Sequence, residues 1–191
     1  MKGQDVRALA ANLRALEVGD RLFMIHCAQC HGKNAKGDKG IPDLTDNDWL
    51  YGGEPETILT SIRDGRQGVM TSNDYLGAEK IRALAHYVLS MSKRPHDTQL
   101  AQKGRDLWGD EAICRLCHGD DMRGNKMLGA PNLTDDVWLY GSSEAEIIKG
   151  ITEGRNLPVE GRTQNQCPPK NFLDENKIRL LAAYVYRLGN R

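Results

Sequence analysis

Five residues occur twice in this chain: Cys27-Ala28-Gln29-Cys30-His31 returns as Cys114-Arg115-Leu116-Cys117-His118. On a helical turn, positions three and four apart are neighbours, so C-x-x-C-H presents two thiols and an imidazole on one face. That combination is the attachment signature of a c-type haem. The thiols add to the two vinyl groups as thioethers, and the imidazole becomes the proximal iron ligand. A thioredoxin-like pair needs no following histidine and would sit in a strand-helix-strand pattern, which the sequence lacks. A zinc site drawing on both motifs would need them to meet, whereas each is embedded in its own repeat. The expectation is two covalently bound haem c groups, held by Cys27, Cys30, Cys114 and Cys117, with His31 and His118 on the irons.

The repetition extends well beyond the motif. Pro42-Asp43-Leu44-Thr45-Asp46-Asn47-Asp48-Trp49-Leu50-Tyr51-Gly52 matches Pro131-Asn132-Leu133-Thr134-Asp135-Asp136-Val137-Trp138-Leu139-Tyr140-Gly141, and Ile62-Arg63-Asp64-Gly65-Arg66 matches Ile151-Thr152-Glu153-Gly154-Arg155. Each repeat runs through motif, loop, helix and closing helix in one order. In the closing helices Ile81, Leu84, Ala85, Val88 and Leu89 have core-facing helical spacing, nearly repeated by Ile178, Leu181, Ala182, Val185 and Leu188. An opening helix is expected around Val18 to Ile25, after an amphipathic lead with Val6, Leu9, Leu13 and Leu16, and again from Leu100 to Trp108. Gly32 to Gly40 and Gly119 to Gly129 read as solvated turns. No alternating apolar run is long enough for a sheet. The expected fold is all-α, two tandem cytochrome c domains each wrapped around one haem. The boundary falls in Ser92-Lys93-Arg94-Pro95-His96-Asp97, dividing the chain into 1–93 and 94–191.

Composition agrees with a core supplied partly by cofactor. Only 39% of the 191 residues are hydrophobic and 6% aromatic, so two small bodies would each have a thin core and need a staple. The 26 basic and 26 acidic residues cancel, which argues against nucleic acid or an anionic membrane as partner. No apolar run approaches the roughly 18 residues needed to cross a bilayer. Met1-Lys2-Gly3-Gln4 does not open a secretory signal. Because covalent haem c is assembled outside the bacterial cytoplasm, an export signal or anchor is expected to have been removed.

The distal ligands are a separate question. Met70 follows Gly65-Arg66-Gln67-Gly68-Val69 in a loop before the closing helix, the place from which a distal thioether would come, and is expected over the iron of His31. Met24 and Met91, at helical positions, read as core filler. In the second repeat an insertion from Leu157 to Gln164 precedes Asn165-Gln166-Cys167-Pro168-Pro169, and alignment of the flanks puts Cys167 where Met70 stands. Cys167 is therefore either a thiolate ligand to the second iron, lowering its potential, or a free thiol. Met122 and Met127 are rivals but lie close behind His118 on the proximal side. His86 reads as a surface or packing residue, and His26 and His96 carry no clear role. Backbone carbonyls near Pro42 and Pro131 are expected to accept the proximal imidazole N–H. Trp49 and Trp138 would either donate to haem propionates or pack beside the ring.

The duplicated Leu-Thr-Asp-x-x-Trp-Leu-Tyr-Gly segments, the Gly65 to Met70 loop and the Ser92 to Asp97 linker together resemble the di-haem c-type subunit of cbb3-type haem-copper oxidases, over residues 17 to 189. The resemblance implies a periplasmic electron relay without bond-making chemistry, tethered to the inner membrane. It would accept electrons from a small soluble c-type cytochrome and work with the other subunits of a membrane oxidase. It carries the iron ligands over as His31 with Met70, and His118. The chain departs from that pattern at Cys167, where the family has a second methionine, at Met70-Thr71 in place of Met-Pro, and in lacking the anchor. Two other functions fit the ligand chemistry. One is a thiosulfate dehydrogenase-like oxidoreductase with a His/Cys-ligated haem, and the other a sensor with a displaceable ligand at the second haem.

Overall fold

A computed structural model of the chain describes residues 4–110, 113–156, 158–159, 162–163 and 167–190. The expectations for Met1 to Gly3, for the insertion ends at Leu157 and Gln164, and for Asn165 and Gln166 lie outside the described residues. The helices are α1 (Val6–Ala10), α2 (Leu13–His26), α3 (Ala28–His31), α4 (Pro55–Asp64), a 3-10 turn (Asp74–Leu76), α5 (Ala78–Met91), α6 (Thr98–Asp110), α7 (Arg115–His118), α8 (Glu144–Glu153) and α9 (Glu175–Gly189). A two-residue ladder, Pro158–Val159 against Arg162–Thr163, and four isolated bridges are the extended pairings among the described residues.

Local chemistry sets the helix limits. The Asn12 side chain accepts from Ala15 N–H at 3.0 Å to begin α2, Pro55 opens α4, and Asp174 accepts from Lys177 N–H at 3.1 Å to begin α9. Helices α4 and α8 both stop at a glycine in the left-handed region, Gly65 (φ 76°) and Gly154 (φ 74°). The break at Ala11 and Asn12 divides the expected amphipathic lead. Val6 and Leu9 are buried, while Leu13 starts a new helix and is 79% exposed. Met24 is likewise exposed, so its helical position does not make it core.

Two compact units result: Met1–Gln67 with Asn165–Arg191, and Gly68–Gln164. They differ from the division at 93/94, because the closing segment of each repeat lies in the unit of the other repeat's motif. In the first unit α9 packs against α1, α2 and α4, and Phe23, Leu59, Leu181, Ala182 and Val185 build the core. Gly19 allows the helices to cross. A Cβ there would come within 2.6 Å of the Leu180 carbonyl oxygen and 2.7 Å of Tyr184 Cβ. In the second unit α5 packs against α6 and α8 around Ile81, Leu84, Val88, Trp108, Met122 and Ile147, and Gly104 meets Ala83 and Tyr87 in the same way. The aromatic neighbours correspond too: Phe23 with Tyr184 at 5.5 Å, Trp108 with Tyr87 at 5.9 Å.

The stretch Ser92 to Asp97 is therefore a helix-to-helix turn inside the second unit. Buried His86 secures it by accepting the Asp97 backbone N–H at Nδ1, 3.0 Å. That bond leaves the imidazole proton on Nε2, which faces Glu144 Oε1 at 3.3 Å.

Candidate haem-attachment sites

Each C-x-x-C-H motif begins at the end of the opening helix and turns once more as α3 or α7. Cys27 and Cys114 are half-buried, Cys30 and Cys117 are exposed, and all are free thiols. The turn is closed by backbone bonds from His31 N–H to Cys27 O at 3.0 Å and from His118 N–H to Cys114 O at 2.9 Å. The following loop folds back over it. Gly37 N–H donates to His31 O and Gly124 N–H to His118 O, and a side chain at either glycine would collide with the Ile41–Pro42 or Ala130–Pro131 backbone. This close return delivers the proline carbonyls: His31 Nδ1 lies 3.1 Å from Pro42 O and His118 Nδ1 lies 3.0 Å from Pro131 O.

A carbonyl oxygen can only accept, so Nδ1 carries the proton and the lone pair sits on Nε2, the form that ligates a metal. Burial lowers the pKa of both imidazoles; the carbonyl bond partly opposes this, and for His31 Lys170 adds to the lowering. Both therefore stay neutral. Burial is also the first cause raising the thiols. Cys27 is pushed up to about 11, with Lys170 opposing and the Cys167 and Cys30 thiols adding, and Cys114 also rises. Two vinyl-reactive thiols and one neutral, oriented imidazole per motif fit a covalently attached haem.

The remaining candidates are distributed differently from the expectation that each repeat completes its own site. Met70 packs in the second unit, against the cluster that also takes Cys114, Trp108 and Met122. Cys167 lies in the first unit, its Sγ 3.8 Å from Ser61 O and close enough to Cys27 and Cys30 for the thiols to perturb one another. Met70 therefore lies in the compact unit that holds His118, and Cys167 in the unit that holds His31. Met122 is wholly buried and Met127 is 91% exposed, so one is core and the other is surface. His26 rests edge-on to Phe172 at 5.8 Å, and exposed His96 bonds locally to Arg94 O. Trp138 donates its indole N–H to Asp135 O at 3.0 Å, which commits that proton locally, and Trp49 packs against the first core.

Sequence reasoning passed over Arg66 and Arg155 and their tyrosines. The Arg66 guanidinium lies 4.7 Å over Tyr51, with Nε donating to Ser61 Oγ, and Arg155 lies 4.6 Å over Tyr140, with Nη2 donating to Glu146 O. The signal was present, since Gly-Arg and Trp-Leu-Tyr-Gly occur once per repeat.

Helices carrying paired thiols and a carbonyl-bonded imidazole define a c-type cytochrome. A profile of the family described as cytochrome C oxidase, cbb3-type, subunit III, matches residues 14–88. The cbb3-type cytochrome c oxidase subunit CcoP of Rubrivivax gelatinosus is 40% identical over 188 residues, covering 97% of this chain and 59% of the relative. The corresponding subunit of Rhodobacter capsulatus is 35% identical over 202 residues (97% and 67%), and subunit FixP of Bradyrhizobium diazoefficiens is 39% identical over 200 (95% and 63%). The chain belongs to this CcoP/FixP family of cbb3-type oxidase subunits, and it spans about three fifths of the length of the Rubrivivax and Bradyrhizobium relatives. Among the described residues no helix is long and apolar enough to cross a membrane.

Proposed function

We infer that this chain carries two covalently attached haems and relays single electrons in the periplasm. The donor would be a small soluble c-type cytochrome and the recipient the haem-copper catalytic subunit of a cbb3-type oxidase, to which a membrane tether would hold it. The observation that carries the reading is the doubling of one arrangement, two C-x-x-C-H turns whose imidazoles are each committed through Nδ1 to a proline carbonyl. A bound c-type haem supplies a one-electron Fe(III)/Fe(II) couple. Cys27, Cys30, Cys114 and Cys117 would anchor it covalently. His31 and His118 would ligate as neutral imidazoles. The Pro42 and Pro131 carbonyls would hold those rings in place while the charge on the metal changes, and Met70 and Cys167 are the distal candidates.

The matured protein should have the mass of the polypeptide plus two haems, and each Cys-to-Ser pair, at 27/30 or at 114/117, should remove one. Rapid mixing with a reduced small c-type cytochrome should then reduce both haems. A mass of bare polypeptide, or no electron exchange with any such donor, would overturn the reading. The Cys167 thiol beside Cys27 and Cys30 favours one rival, oxidation of a sulfur compound at a His/Cys site. Steady-state turnover of thiosulfate with an added electron acceptor would establish that rival instead.

A further inference from the structure

The segment from Cys167 to Leu173 ties α4 to the end of α2. On the α4 side Arg66 N–H donates to Cys167 O and Lys170 N–H to Ile62 O, both at 2.9 Å. On the other side the Phe172 ring meets His26 edge-on at 5.8 Å, and His26 immediately precedes Cys27. Leu173 N–H returns to Lys170 O at 2.9 Å, closing a turn between the two anchorages. Lys170 is therefore held beside the first C-x-x-C-H motif by the backbone itself. It is half-buried, its Nζ donates to the neutral Pro168 O at 3.4 Å, and no carboxylate among the described residues pairs with it. Arg66, the other cation nearby, is committed over Tyr51 and to Ser61.

The uncompensated charge is felt at the motif. Burial is the first cause of the shifts at Cys27, His31 and Cys167, and Lys170 is the cation that acts on all three, opposing the rise at the thiols and adding to the fall at the imidazole. At Cys114 and His118 burial acts with a backbone bond and, at Cys114, the Cys117 thiol, and no cation joins them. The repeat explains the difference. Asn73 N–H donates to Ile151 O at 3.0 Å as Lys170 N–H donates to Ile62 O, and Ile151 corresponds to Ile62, so the second unit has a buried neutral amide where the first has an ammonium.

We propose that Lys170 sets the potential of the haem held by Cys27, Cys30 and His31, as a fixed cation that raises it and has no counterpart at the haem held by Cys114, Cys117 and His118. The inference deepens the relay reading and rests on haem being attached at both motifs. Oxidation from Fe(II) to Fe(III) adds a positive charge to the site. A nearby ammonium opposes that charge as it opposes a proton on His31, so the reduced state is favoured. Lys170 is a positioning residue in this scheme, acting through its field and not by contact with the iron. Two sites with the same attachment chemistry are thereby given unlike electrostatic surroundings.

The test is a spectroelectrochemical titration of the full-length matured protein, with the potential of the N-terminal haem assigned by its disappearance in the Cys27→Ser, Cys30→Ser variant. Lys170→Gln should lower that potential and leave the other in place, while Lys170→Arg should keep the parent value. Lys170→Glu, which changes the charge by two units in place of one, should lower it roughly twice as far as Lys170→Gln. The visible spectra and melting temperatures of the Gln and Arg variants should match the parent, which separates a change of field from a loss of packing. Should the Glu variant fail to fold, the Gln and Arg pair decides alone. An unmoved potential in Lys170→Gln, an equal fall at both haems, or a fall that Lys170→Arg reproduces would overturn the proposal. A parent protein whose mass shows no haem on Cys27 and Cys30 would instead defeat the reading on which it rests.

Discussion

His31 and His118 are held identically, and the reason lies in single atoms. Each Nδ1 proton is fixed by a carbonyl that a glycine-dependent loop return brings to about hydrogen-bond distance, and burial keeps each ring neutral. The methionines show the converse, identical chemistry with different fates. Met122 is fully buried beside Trp108, so Met122→Ala should cost about 2–5 kcal/mol in denaturant unfolding of the matured protein while leaving the axial-ligand bands in place. Loss of the thioether band would identify it as a ligand. At Asp97 the Leu100 and Gln99 N–H groups hold the carboxylate below its ordinary range, the Leu100 bond being the larger cause. Because the folded pKa is depressed, the stabilisation is complete above the unfolded carboxylate pKa and is lost as pH falls through the folded value. A melting temperature followed against pH should therefore decline on the acid side, and Asp97→Asn should flatten that limb. An unchanged profile in the variant would show that the cap contributes nothing.

At the scale of elements, the molecule depends on two helix crossings made possible by glycine. The approach of α2 to α9 at Gly19 and of α6 to α5 at Gly104 is too close for any side chain, while the aromatic pairs one turn away fill the remaining space. Gly19→Leu and Gly104→Leu should each destabilise by at least the 1–3 kcal/mol typical of overpacking, roughly. Wild-type stability of the variants, in melts followed by far-ultraviolet circular dichroism, would show that the crossings tolerate a side chain. Most of these helices were legible in the sequence. The spacing of Ile81, Leu84, Ala85, Val88 and Leu89 and of Ile178, Leu181, Ala182, Val185 and Leu188 follows one apolar face, and every one of those residues lies buried as expected. Leu13 and Met24 were not legible. Periodicity does not register a helix break at Asn12, and it does not say which faces of a helix remain uncovered.

At the scale of the whole molecule, the compact units do not coincide with the repeats. The first unit needs 165–191 and the second is the single stretch 68–164. A fragment of residues 68–164 should thus fold and take up haem at Cys114 and Cys117, whereas fragments 1–93 and 94–191 should each lack the closing helix that completes their core. Cooperative melting of the separate 94–191 fragment, with α6 left without α5, would contradict the exchanged arrangement. The sequence by itself determined the helices, the two attachment motifs, the carbonyl partners of the imidazoles and the family. All of these depend on residues near one another in the chain. Which closing segment completes which site was decided only by tertiary structure. The two repeats offer nearly the same surfaces, Gly19 and Gly104 accept equivalent helices, and Gly65 and Gly154 accept equivalent loops, so local pattern leaves the choice degenerate, as in domain swapping. Only the path of the chain from Gln67 into Gly68 resolves it, and so places each closing helix in the unit of the other repeat's motif.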